Sequence, residues 1–158
     1  MNKLQKALLD QIHNYKYNKL IIFDKKEDIL KQLSVISDKF KIKHVVNNKS
    51  IEQYNNTDSL IIYVIDKKIK EQIKTSEIIS RLTLLNPENI IVISPSLSKN
   101  YSDDSFYKTL ISFGYKLLSV VKEKDVFYFF YAYNISNYKN IPDWLNNKNW
   151  ANPELWKK

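Results

Sequence analysis

The sequence predicts a single three-layer α/β domain: a mostly parallel sheet with helices on both faces and an antiparallel hairpin at its C-terminal side. Three observations carry this expectation. Short, continuous apolar runs alternate with segments of helical spacing, the pattern of strands covered on both faces by crossover helices. The last two strand-like runs are separated by a turn too short for a crossover. The chain of 158 residues fits one core, with no repeat and no internal linker, and at that length about 70% of the unfolded surface is buried.

Each element has its own signal. Leu4, Ala7, Leu8, Ile12 and Tyr15 recur at three- and four-residue spacing, which makes residues 3 to 17 an amphipathic helix. Leu20-Ile21-Ile22-Phe23 reads as a buried strand, residues 25 to 39 as a helix through Ile29, Leu30, Leu33 and Ile36, and Lys41 to Val46 as the next strand. The polar stretch from Asn47 to Asp58 is loop-like, with one helical turn at Ile51 and Tyr54. Leu60 to Ile65 is the strongest strand, followed by a helix through Ile69, Ile73, Ile78, Ile79, Leu82 and Leu85 that Asn86-Pro87 stops. Asn89 to Ser94 is a further buried strand, ended by Pro95. Ser102 is the expected N-cap of the following helix, with Asp103 and Asp104 in its first turn, and Gly114, the one glycine of the chain, is its C-terminal cap. Tyr115 to Val121 and Val126 to Asn134 close the sheet as a hairpin.

The order of these elements resembles a class I methyltransferase core of Rossmann type, shortened by one strand and helix after its second strand. The likeness spans residues 19 to 134, with Phe113-Gly114-Tyr115 standing where that fold often has a Gly-aromatic step. A second likeness lies in the tail. Tyr138-Lys139, Pro142-Asp143-Trp144-Leu145-Asn146, Trp150-Ala151-Asn152-Pro153-Glu154 and Trp156 resemble the closing signature of a bacterial family of unknown function with a methyltransferase-like domain.

The methyltransferase resemblance implies S-adenosylmethionine as cofactor, lying against a glycine-rich turn after the first strand where a side chain would collide with it. Here that turn reads Asp24-Lys25-Lys26-Glu27. Asp24 has two readings. It is either a remnant of the acidic residue that often ends this strand, or the N-cap of the next helix with Glu27 as its capping-box partner. The ribose-binding acid expected after the second strand is missing, since Val46 is followed by Asn47-Asn48. Asp66 ends the strand 60 to 65 at the edge where open α/β sheets bind ligands; it is a site residue or a cap. Ser94-Pro95-Ser96 ends the adjacent strand at the same edge, which makes Ser94 a neighbour of Asp66. No histidine is placed to complete a triad with them. Asp24, Asp66 and Ser94 are therefore the candidate cofactor contacts, with no catalytic residue assigned.

Composition excludes other chemistry. There is no cysteine, hence no disulfide framework, thiolate metal site or cysteine nucleophile, and a reducing, cytoplasmic setting is expected. The two histidines, His13 and His44, are too few and too far apart for a metal centre. No signal-peptide stretch and no membrane span are expected. The net charge of +8 suggests nucleic acid, but of 25 basic residues only Arg81 is an arginine, so the lysines read more simply as solvated surface.

Residues 135 to 158 are the most informative segment. Trp144, Trp150 and Trp156 are the only three tryptophans, spaced by neither a helical nor a strand period. Rings that bury on the order of 150–250 Å² each are costly to leave in water. The segment is thus a clasp over the domain or a partner-binding surface, with Tyr138, Asp143, Trp144, Asn146, Trp150, Asn152, Glu154 and Trp156 as contacts. The sequence favours a non-catalytic, methyltransferase-like module that holds no cofactor and binds a protein or RNA through this segment. One rival is an S-adenosylmethionine-dependent methyltransferase with an atypical pocket near Asp24, Asp66 and Ser94. The other is an RNA- or ribosome-associated basic protein.

Overall fold

Six strands form one sheet in a computed structural model that describes residues 1–35, 40–46, 51–55, 58–66 and 72–133. The strands are β1 (Lys19–Phe23), β2 (Lys41–Val45), β3 (Leu60–Val64), β4 (Ile90–Ser96), β5 (Tyr115–Glu123) and β6 (Val126–Tyr133). The helices are α1 (Lys3–His13), α2 (Asp28–Ser34), α3 (Gln72–Leu85) and α4 (Tyr107–Ser112). The spatial order is β2-β1-β3-β4-β6-β5, with β1 to β4 mutually parallel and β6 antiparallel to both its neighbours. The predicted mixed α/β architecture, its parallel majority and its closing hairpin are all present.

Period-two alternation sorts the strand side chains into two cores. Leu20, Ile22, Leu60, Ile62, Ile91, Ile93 and Phe130 pack with Leu4, Leu8 and Ile12 of α1 and Ile29 and Leu33 of α2. Ile21, Phe23, Ile61, Tyr63, Ile90 and Val92 face the other way, onto Ile78, Ile79 and Leu82 of α3 and Leu110 of α4. Right-handed crossovers require this arrangement: the chain moves from β1 to β2 in one direction across the sheet and from β3 to β4 in the other, so α2 and α3 lie on opposite faces. Ile51 and Tyr54 do form a single helical turn, and both are buried on the α3 side.

Several local signals resolve differently from expectation. Asn2 starts α1 with a full capping box, its side chain accepting from Gln5 N while Gln5 Oε1 accepts from Asn2 N, each at 2.8 Å. α2 begins at Asp28 rather than Lys25 and ends at Ser34; the rest of the predicted helix, with Ile36, lies in residues 36–39, outside the described residues. Pro95 does not end β4; it lies inside the strand opposite Tyr128. Among the described residues the pairing of β4 with β3 finishes at Ile93, so no described strand needs an N–H from Pro95 on that side. Ser102 is not a helix cap: Asn100 caps a short turn over Tyr101–Asp103, and α4 begins only at Tyr107. Asp104, buried, accepts from Phe106 N at 3.1 Å just before that helix. Gly114, with φ 91°, sits where α4 ends, as predicted, and its N–H returns to the Ile111 carbonyl.

The hairpin turn is Lys124-Asp125, with Glu123 opposite Val126. Lys124 takes φ 55°, a left-handed conformation that glycine adopts without the Cβ clash. Lys124→Gly is expected to stabilise the fold by roughly 0.5–1 kcal/mol, read as a higher urea midpoint at unchanged slope.

Two buried phenols make stability sensitive to alkali. Tyr115 donates to Thr83 Oγ1 at 2.6 Å, and that hydroxyl donates in turn to the Ile79 carbonyl at 2.6 Å. Burial pushes the Tyr115 phenol well above its ordinary value of 10.0. Burial, with the neighbouring Asp104 carboxylate, does the same for Tyr131. In both cases the folded chain holds the proton more tightly than the unfolded chain, so their contribution is complete below about pH 10 and is lost as pH rises above it. Urea midpoints measured between pH 8 and 11 are expected to fall steeply above about pH 10, and less steeply in Tyr131→Phe.

Candidate functional site at the switch point

The succession of strands reverses at β1, so the crevice of the sheet opens at the carboxyl ends of β1 and β3. β1 runs directly into Asp24, which is 1% exposed. The Asp24 carboxylate accepts from Ile29 N at 2.7 Å and Leu30 N at 3.1 Å through Oδ2, and from Lys26 N at 3.2 Å through Oδ1. The N–H groups of Ile29 and Leu30 are among those that the first turn of α2 leaves without intrahelical partners, and the helix dipole favours the negative charge there. Asp24 therefore caps α2, but not in the predicted capping box. Glu27 occupies the N-cap position with φ 59° and makes no side-chain cap bond. Asp24 stands five residues ahead of Ile29, so the turn has to fold back on itself, and Glu27 supplies the left-handed residue that this needs. The Asp24 carbonyl accepts from His44 Nε2 at 2.8 Å, which places that ring proton on Nε2.

Asp66 follows β3 across the switch point. Its side chain is 12% exposed and faces Lys26 Nζ at 3.7 Å and Lys25 Nζ at 3.8 Å. Its Oδ1 is buried without a hydrogen-bond partner among the described residues. Residues 67–71 lie outside the described residues, and with them the predicted capping role of Asp66. Ser94 comes to the same edge, next to the Ile93 carbonyl that accepts from Ile65 N at 2.9 Å. It is fully buried, its Oγ lacks a hydrogen-bond partner among the described residues, and no hydrogen bond joins it to Asp66. The two residues are neighbours on the sheet edge but not a dyad. His44 is engaged with the Asp24 carbonyl, and His13 stands beside Phe40, with ring centroids 6.4 Å apart. Among the described residues no cluster of three or more His, Cys, Asp or Glu side chains is placed to hold a metal ion, and no helix is long and apolar enough to cross a membrane.

A cleft of about 380 Å³ opens on the α3 side of this edge. Asp24, Lys25 and Asp66 line one wall, Val45 and Val46 of the β2 end form a second, and α3 closes the third with Lys74 and Arg81. Arg81 also reaches Glu52 at 3.3 Å, with both side chains exposed. Sequence reasoning located Asp24 and Asp66 through the strand-end rule. It missed the contact of Lys25 and Lys26 with Asp66, and the contribution of α3. The spacing from Lys74 to Arg81 is two helical turns on one face, but only the folded arrangement shows which face borders the cleft. This geometry can bind and orient a small molecule; it offers no nucleophile held by a base among the described residues. The tail residues Tyr138, Asp143, Trp144, Asn146, Trp150, Asn152, Glu154 and Trp156 lie outside the described residues, as does the clasp predicted for 135–158.

Similarity to solved structures agrees with the fold. The precorrin-6y C5,15-methyltransferase from Geobacter metallireducens superposes with a TM-score of 0.52 at 8% identity, covering 85% of this chain and 92% of that one. A Haemonchus contortus phosphoethanolamine N-methyltransferase 2, in complex with phosphomonomethylethanolamine and S-adenosylhomocysteine, gives a TM-score of 0.48 at 13% identity. It covers 83% of this chain, which spans only 37% of that enzyme. At such identities the likeness is one of fold alone. No curated protein matches the sequence. The family of unknown function DUF6231 matches residues 2–158.

Proposed function

The chain belongs to the DUF6231 family, and we propose that it is a binding module on a methyltransferase-like fold, without methyl transfer of its own. The observation that carries this reading is the turn between β1 and α2. Asp24 has already taken the N–H groups at the start of α2, and Lys25 and Lys26 stand over the switch point in place of the glycines that would let a cofactor lie against the backbone. Their ammonium groups also disfavour a sulfonium cation in the adjoining cleft. In this reading the macromolecular partner is taken by the Trp-rich segment from Tyr138 to Trp156, where large rings suit an interface anchor.

Thermal unfolding with S-adenosylmethionine or S-adenosylhomocysteine at millimolar concentration tests the first part. No shift is expected. A ligand at 100 times its Kd stabilises by about 2.7 kcal/mol, a rise of roughly 5–11 °C, and a rise of that size would overturn the proposal. Truncation after Tyr138 tests the second part. It is expected to abolish binding to partners recovered with the full chain, and a stable truncated protein that retains all of them contradicts the assignment.

A second reading, an S-adenosylmethionine-dependent methyltransferase with an atypical pocket, is favoured by one observation, the position of the cleft at the carboxyl ends of β1 and β3 beside Asp24 and Asp66. Methyl transfer needs mainly positioning, so the lack of an acid–base pair does not argue against it. The same thermal shift decides between the two readings.

A further inference from the structure

We infer that the switch-point cleft binds a phosphorylated, hydroxyl-bearing small molecule, with Asp66 taking a hydroxyl and Arg81 and Lys74 taking the phosphate. This does not rest on the binding-module reading; it follows from the cleft itself.

A volume of about 380 Å³ lies within the range of small-molecule sites, about 300–1,000 Å³, and its place at the reversal of strand order is where open α/β sheets bind ligands. The wall at Asp66 contains an unmet acceptor. Its Oδ1 is buried without a hydrogen-bond partner among the described residues; the Lys26 ammonium stays at 3.7 Å from it and the Lys25 ammonium at 3.8 Å from Oδ2, too far for a hydrogen bond. A buried acceptor in that state is best completed by a donor from a ligand. Because two lysines already face this carboxylate, a third cation there is repelled, and a neutral hydroxyl suits the position better than an amine.

The α3 wall asks for the opposite charge. Lys74 and Arg81 border the cleft two turns apart, and Arg81 is the single arginine of the chain. A guanidinium presents paired donors that match phosphate oxygens. Its pairing with Glu52, at 3.3 Å between side chains 64% and 71% exposed, is of the weak surface kind that a doubly charged phosphate readily displaces. Glu77 lies between the two cations on the same wall and offsets part of their charge, which favours one phosphate monoester over a polyphosphate. Asp24 does not compete for the ligand's hydroxyls, since its carboxylate is committed to three backbone N–H groups. Val45 and Val46 supply an apolar surface for the carbon skeleton, and Val46 is 59% exposed. Sugar phosphates and nucleoside monophosphates share this chemistry.

Isothermal titration of the full chain with ribose 5-phosphate, adenosine 5′-monophosphate, adenosine and inorganic phosphate tests the inference. At least one of the two phosphate esters is expected to bind, and to bind roughly tenfold or more tightly than either adenosine or inorganic phosphate. Preference for the nucleotide shows that the base is held as well; preference for ribose 5-phosphate shows that the sugar phosphate suffices. Arg81→Gln, at an exposed position that tolerates substitution, is expected to weaken ester binding roughly tenfold, and Asp66→Ala to weaken it without abolishing the response to inorganic phosphate. Absence of ester binding, equal affinity for inorganic phosphate, or unchanged affinity in a folded Arg81→Gln variant would overturn the inference. None of these ligands carries a sulfonium, so this outcome is independent of the S-adenosylmethionine scan.

Discussion

Asp24→Ala is expected to destabilise the fold by roughly 2–4 kcal/mol and to lower the Tm by roughly 6–12 °C. Its carboxylate, 1% exposed, serves three backbone N–H groups at 2.7, 3.1 and 3.2 Å. Hydrogen bonds to a charged group contribute more than neutral ones, about 1.5–3 kcal/mol, and loss of a helix cap alone costs about 0.5–2 kcal/mol. The alanine variant also leaves those donors facing a small void that water fills incompletely. Asp24→Asn keeps an acceptor of the same shape and is expected to lose less than half as much. Glu27→Ala is the control: Glu27 is exposed and caps nothing with its side chain, so its removal is expected to stay within about 0.5 kcal/mol. A calorimetric scan of the three variants separates the observed arrangement from a capping box, in which Glu27→Ala would be costly as well. If Asp24→Ala melts with the unmodified chain, the turn between β1 and α2 is not held as described, and the principal support for a binding module falls with it.

The parallel part of the sheet was legible because it is the simplest signal a sequence carries. Ile21, Ile61 and Ile90 lie in register across three strands, and runs such as Leu60 to Val64 are apolar throughout because both faces are covered. Gly114 was equally clear, since a lone glycine after a helical stretch has few other uses. The failures share a physical cause. Pro95 reads as a stop when only its own strand is considered; whether an N–H is needed there depends on how far β3 extends, a property of another segment. Ser102 and Asn100 are both good capping residues two positions apart, and local chemistry does not choose between them. The site was legible in part for the same reason. Strand ends can be read from the chain, which located Asp24 and Asp66. The lysines that lean on Asp66, the Asp24 bonds to a helix five and six residues away, and the α3 wall of the cleft all depend on how separate segments meet.

Phe130→Ala is expected to have the largest effect of any single substitution proposed, roughly 3–5 kcal/mol, with a Tm lower by roughly 9–15 °C. The sequence around it, Phe127-Tyr128-Phe129-Phe130-Tyr131, is aromatic at every position and so does not itself say which ring belongs to which face. The pairing decides: Phe130 lies opposite Ile93 of β4 and Ser119 of β5, fully buried among the side chains that cover α1 and α2, whereas Phe129 and Tyr131 point to α3 and α4. The register shift between Leu117 and Ser119 fixes this choice at the edge strand. Truncating Phe130 removes a ring from a wall of aliphatic chains that are anchored in a sheet and cannot close the gap, the circumstance in which cavities are costliest. Leu118, 46% exposed at the same irregularity, is the matched control, and Leu118→Ser is expected to change stability by no more than about 0.5 kcal/mol. Urea titration of both variants reads the difference directly. A loss below about 1.5 kcal/mol for Phe130→Ala, or a larger loss for Leu118→Ser, would mean that Phe130 does not fill the core against α1 and α2 as described.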